Sequence, residues 1–148
     1  MKYIIRKDTF ETNSSSVHSL VISSEGREPS NLPVNDDGYI EVEFGQFGKD
    51  YHIYTEQKDK LSYLITCTYY LSHSFNPYDI YDSWTFKHIN DVICKYTGAK
   101  GIKIIGNTEP YLDHQSQPYS DIEIINFYED EIINFVFNKY VSLKTDCD

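Results

Sequence analysis

Residues 39–44 (YIEVEF) alternate strictly, with Ile40, Val42 and Phe44 on one face and Glu41 and Glu43 on the other. A period of two marks a half-buried strand. Shorter β-rich runs occur at 2–6 (KYIIR), 17–23 (VHSLVIS), 101–105 (GIKII) and around Ile122 and Ile124. Val141 and Leu143 alternate with polar neighbours and predict a last strand. Two segments switch to helical spacing, and a third reads as a helix from its acidic start. In 55–73, Thr55 is a candidate N-cap with Glu56 favourable in the first turn, and Leu61, Leu64, Ile65, Thr68 and Leu71 share a face until Pro77 closes the segment. In 82–97, Phe86, Ile89, Ile93 and Tyr96 step by three and four, and Gly98 suits the left-handed residue after a helix. The acids Glu129, Asp130 and Glu131 favour a helix start, so a short helix is placed at 129–137.

The segment 24–38 (SEGREPSNLPVNDDG) is rich in turn formers and is expected to be an exposed loop. No linker divides the chain. The expectation is one α+β domain over 1–148, with a mainly antiparallel sheet of five to six strands and two or three helices. Residues 123–127 recur letter for letter at 131–135, but the period is too short for a solenoid unit and reads as coincidence.

At 148 residues the chain is long enough to bury a core without staples. Its 13 basic and 23 acidic residues give a net charge of −10. That argues against binding nucleic-acid phosphate directly and against docking on anionic lipid. Cys67, Cys94 and Cys147 are odd in number and form no CxxC pair, so neither a disulfide framework nor a zinc knot is expected. Cys67 and Cys94 fall in expected helices and read as buried, inert thiols. The apolar run at the N-terminus is too short for a signal peptide, and no stretch reaches the length of a membrane span. The expected location is the reducing cytoplasm of a bacterial host cell, a setting that the Tyr-, Ile- and Asn-rich composition of an AT-rich bacterial or phage genome also fits.

The most unusual stretch is Thr12-Asn13-Ser14-Ser15-Ser16-Val17-His18-Ser19. Short hydroxyl side chains and backbone N–H groups in tight turns can form a concavity that holds an anion. A serine near a histidine also allows a nucleophile and base arrangement. The plainer alternative is a polar turn whose hydroxyls satisfy their own backbone. The loop contains neither a Walker sequence nor a G-x-S-x-G elbow. No Lys or Arg occurs from Phe10 to Ser23, so phosphate capture would need backbone amides or cations such as Arg6, Lys7 or Lys103.

The run from Arg6 to Leu20, with its Phe10-Glu11-Thr12-Asn13-Ser14-Ser15-Ser16, one further residue and then His18-Ser19, resembles the opening of a group of small phage and mobile-element proteins. Asp113-His114-Gln115-Ser116 resembles a second element of that group. The resemblance covers a small part of the chain and implies a genomic setting rather than a mechanism. It adds weight to a working loop over a merely solvated one.

Two polar segments thus stand out, and they suggest one constellation. Ser15 would be the nucleophile, His18 and His114 the acid–base groups, and Asp113 the group that orients His114. Thr12, Asn13, Ser14, Ser16, Ser19, Gln115 and Ser116 would line the pocket. A two-His, one-carboxylate metal site from His18, His114 and Asp113 is a weaker alternative without supporting motif spacing, and no cofactor is indicated. Against this, His18 reads equally as a solvent-facing strand residue and His114 as a loop histidine.

Two functions of different class follow. In the first, the two segments form a pocket that binds or processes a small anionic, nucleotide-like ligand. In the second, the protein is an acidic inhibitor that occupies the basic groove of a host nucleic-acid or defence enzyme, using its charge and its aromatics Tyr63, Tyr69, Tyr70, Tyr78, Tyr81 and Trp84. The plainer reading of those tyrosines is core edge, with each hydroxyl in water. The small, clustered polar residues favour the first.

Overall fold

A computed structural model describes residues 3–6, 25–72, 76–113 and 129–145. In chain order these form β1 (Tyr3–Arg6), β2 (Tyr39–Val42), β3 (Gln46–Phe47), β4 (His52–Tyr54), α1 (Gln57–Ser72), a 3-10 turn (Pro77–Asp82), α2 (Trp84–Thr97), β5 (Gly101–Ile104), β6 (Tyr111–Leu112), α3 (Glu129–Phe137) and β7 (Val141–Thr145). The protein is α+β, and its three helices among the described residues lie where the sequence predicts them, two from helical spacing and the third from its acidic start.

The sheet differs from the expectation of one mainly antiparallel layer. The described strands form a three-stranded sheet in the order β1-β7-β4 and two separate pairs, β2-β5 and β3-β6. Three of the four pairings are parallel (β1 with β7, β2 with β5, β3 with β6), and only β4 with β7 is antiparallel. The reason is the connections. Parallel partners need a long crossover, and the chain supplies one by running α1 and α2 between β2 and β5. Alternation along a strand reveals its faces but not the direction of its neighbour. The expected strands at 17–23 and 122–124 lie outside the described residues.

α1 is the centre of the molecule and packs against β2, β6, α2, α3 and the 3-10 turn. It is buried without a break from Lys60 to Thr68, not along one stripe. Its polar side chains therefore need partners inside the protein. Ser62 donates to Glu43 O (2.7 Å), Thr68 to Leu64 O (2.9 Å) and Thr66 to Ser62 O (2.7 Å). Thr66 Oγ1 also accepts from Gly45 N–H (2.9 Å). Gln57 accepts from Asn31 N–H and donates to Pro29 O, which ties down the loop before β2. That loop is not wholly exposed, because Leu32 is buried in the core and Val34 bridges Ile40.

α2 starts as its sequence dictates. Ser83 Oγ caps it by accepting from Phe86 N–H, and Gly98, at φ 81°, closes it with a bond from its N–H to Cys94 O. Among the described residues β5 has no strand on its far side, yet that edge is covered. Ile102 N–H donates to Asn90 Oδ1 (2.9 Å) and Ile104 N–H to the Tyr81 hydroxyl oxygen (2.7 Å). Side chains there do what a neighbouring strand would do, and they remove an adhesive edge.

Candidate functional site

The site begins with the parallel pair β1 and β7. Their register sets Tyr3 against Val141 and Arg6 against Lys144, so both strands end at the same edge. β4 runs the other way and brings its first residue, His52, opposite Thr145 at that edge. Thr145 Oγ1 donates to Asp50 O (3.3 Å), which pins the turn that leads from β3 into β4. The Phe47 and Tyr54 rings meet edge to face at 5.1 Å and hold β3 beside β4.

β6 ends against the same turn. Its partner in register is β3, with Phe47 opposite Leu112, and Asp113 N–H donates to Phe47 O (3.1 Å). The Asp113 side chain is buried against Gly48. Gly48 has φ 94°, and a Cβ there would lie 2.3 Å from the Asp113 carboxyl carbon, so only glycine fits. The run from Gly48 to Asp50 is thus flanked by the end of β6 on one side and the end of β7, with Arg6 of β1 next to it, on the other. The chain leaves β1 after Arg6 and β6 after Leu112, with the end of β7 and this turn between the two. Ligand sites of parallel sheets form in this position, beyond the carboxyl ends of the strands.

Arg6 and Lys144 are neighbours in register at this edge. Lys144 forms no ion pair with a carboxylate among the described residues, and its Nζ lies over the Tyr51 ring, 5.1 Å from the centroid.

Of the site residues expected from sequence, Asp113 falls within the described part, and it is buried at the end of β6. Ser15, His18, His114, Thr12, Asn13, Ser14, Ser16, Ser19, Gln115 and Ser116 lie outside it. Among the described residues no cluster of three His, Cys, Asp or Glu side chains is placed to hold a metal ion. Of the cations named as possible partners, Lys103 sits elsewhere, exposed on β5 and in register with Glu41 of β2. Lys144 was missed. Its place in the alternation after Val141 and Leu143 sets it on the opposite face, but only the pairing with β1 brings it beside Arg6.

The aromatic set divides. Tyr63 is core, 1% exposed, between Phe47 and Phe135. Tyr69, Tyr70 and Tyr81 are half-buried against the core, whereas Trp84 is 78% exposed. Of the five whose side chains are described, Trp84 is the exposed one. Cys67 is fully buried, which pushes its thiol up to about 12, and Cys94 is half-buried.

Lys60 is a second unexpected titratable group, 1% exposed. Its ammonium donates to Asn138 O (3.1 Å) and Val141 O (2.8 Å), the carbonyls of the turn between α3 and β7. Burial pushes it down to about 8, while Glu28 and Glu56 act in the opposite direction. A polar cavity of about 230 Å³ lies beside it, lined among others by Glu28, Glu56 and Lys139. With Lys60 sealed under two carbonyls, its role is to hold the turn.

No helix among the described residues is long and apolar enough to cross a membrane. The chain matches no protein-family model, no curated protein and no solved structure.

Proposed function

We propose that the protein is a phage or mobile-element accessory protein that holds a small anionic, nucleotide-like ligand in a polar pocket. Residues 12–19 and 113–116 form the pocket's walls, and Arg6 and Lys144 supply its positive charge. The observation that carries this reading is the shared edge. The chain leaves β6 at one side of the Gly48–Asp50 turn, and leaves β1 in register with β7, whose end bonds the other side of that turn. Arg6 and Lys144 are register partners there in a protein of net charge −10. Ser15 and His18, with His114 oriented by Asp113, provide the groups for turnover if the ligand is processed as well as bound. The phage setting rests on the resemblance of the Phe10–Ser19 run.

Native mass spectrometry, compared with the denatured mass, tests the reading. Protein incubated in bacterial lysate should carry an adduct of a few hundred daltons. Ser15→Ala, His18→Ala and Lys144→Ala should lose it while keeping the melting temperature. If the wild-type protein stays bare, and neither phosphate nor AMP raises its melting temperature, the pocket reading fails.

A further inference from the structure

A groove of about 320 Å³ lies between the β2-β5 pair and the 3-10 turn. Asn35, Asp37, Tyr39, Tyr81, Ile102 and Lys103 line it. Its two aromatic walls are held in place. The Tyr39 ring lies against Gly101, close enough that a Cβ there would meet it at 3.0 Å. Tyr81 is fixed by its hydroxyl, which accepts from Ile104 N–H, and by an edge-to-face contact with Phe86 at 5.0 Å. Tyr39 is nonetheless 39% exposed, and Val34 beside it 53%. Ile102 forms an apolar floor, 4% exposed.

Asp37 is the carboxylate of the lining, exposed in the turn before β2 next to the exposed Asp36. The Asn35 side-chain oxygen accepts from the N–H groups of Asp37 and Tyr39, which fixes the turn that carries them. Lys103, the cation of the lining, has Glu41 as its neighbour in register. Two ordered tyrosine faces with a carboxylate at their mouth make a site for a delocalised cation. A guanidinium stacks on aromatic rings and bonds a carboxylate in a planar fork, which an ammonium does less well.

We propose that this groove is a docking site for an arginine side chain of a basic partner protein. The charge of the whole chain, −10, draws such a partner in, and the arginine between Tyr39 and Tyr81, bonded to Asp37, fixes its position. This face is separate from the strand ends at Arg6 and Lys144, so the inference stands or falls independently of the ligand pocket.

Isothermal titration with an arginine-rich peptide and its lysine-substituted twin tests it. The wild-type protein should bind the arginine peptide at concentrations below ~1 mM and the lysine peptide several-fold more weakly. Tyr39→Ala and Asp37→Asn should each reduce affinity about tenfold. Asp37 is exposed, so its variant keeps the fold even if Tyr39→Ala does not. Absence of binding, equal binding of both peptides, or unchanged affinity in Asp37→Asn would each overturn the proposal.

Discussion

Along α1, Lys60, Ser62, Thr66 and Thr68 are buried, and each donates to a carbonyl of its own chain. At the end of β7, by contrast, Lys144 is half-exposed, has no carboxylate partner among the described residues, and stands beside another cation. Both regions carry polar residues in a β- or α-forming context, but the first uses them up on the fold. Two of the three N–H donors of Lys60 are spent on the turn. Lys144 is not spent in this way among the described residues, which is why the proposed site is placed at the strand ends.

The largest break in this contrast comes from Lys60→Ala. It leaves the Asn138 and Val141 carbonyls without their buried donor and opens a cavity, and should cost about 3 kcal/mol by urea denaturation. An unchanged midpoint would mean that the turn needs no anchor. Gly48→Ala comes next. The positive φ and the Asp113 carboxyl above it should cost about 2 kcal/mol and weaken ligand binding as well, because Asp113 must shift. Thr66→Val keeps the shape but leaves Gly45 N–H unbonded, for a loss of about 1 kcal/mol in thermal denaturation.

The pH dependence sharpens the contrast further. Lys60 keeps its proton up to about 8 in the folded protein, against an ordinary value of 10.5. Between those values the unfolded chain holds more protons than the folded one, so this group's contribution makes stability rise with pH there. Compared with Lys60→Met, the wild-type protein should therefore gain stability on going from about pH 8 to about pH 10. Parallel pH profiles of the two would contradict it. The smallest effect on folding is expected from Lys144→Ala, within about 0.5 kcal/mol. Its consequence should appear in ligand binding alone, and a large loss of stability would move Lys144 from the site to the framework.

These contrasts also explain what was legible in the sequence. Periodicity located α1 and α2, because Leu61, Leu64 and Ile65, or Phe86, Ile89 and Ile93, must share a face wherever the helix packs, and the acids Glu129, Asp130 and Glu131 marked the start of α3. Periodicity also found β2, where Ile40 and Val42 point inward and Tyr39 outward. It could not show that α1 is buried on every side, since Lys60, Ser62 and Thr66 look like solvent residues until their carbonyl partners are known. β3, β4 and β6, two or three residues each, are too short for any period to register. Parallel pairing depends on contacts such as that of Arg6 with Lys144, which join opposite ends of the chain and leave no local trace. Of the candidate site, the residue types were legible, and their neighbours were not.

The central claim, that residues 12–19 and 113–116 serve one anionic site at the ends of β1 and β6, is tested most directly by NMR. AMP would be titrated into the isotope-labelled protein and backbone amides followed. Saturable shifts in both segments with one dissociation constant, weakened together by Lys144→Ala, are predicted. Shifts confined to one segment, or none in either, would contradict the account.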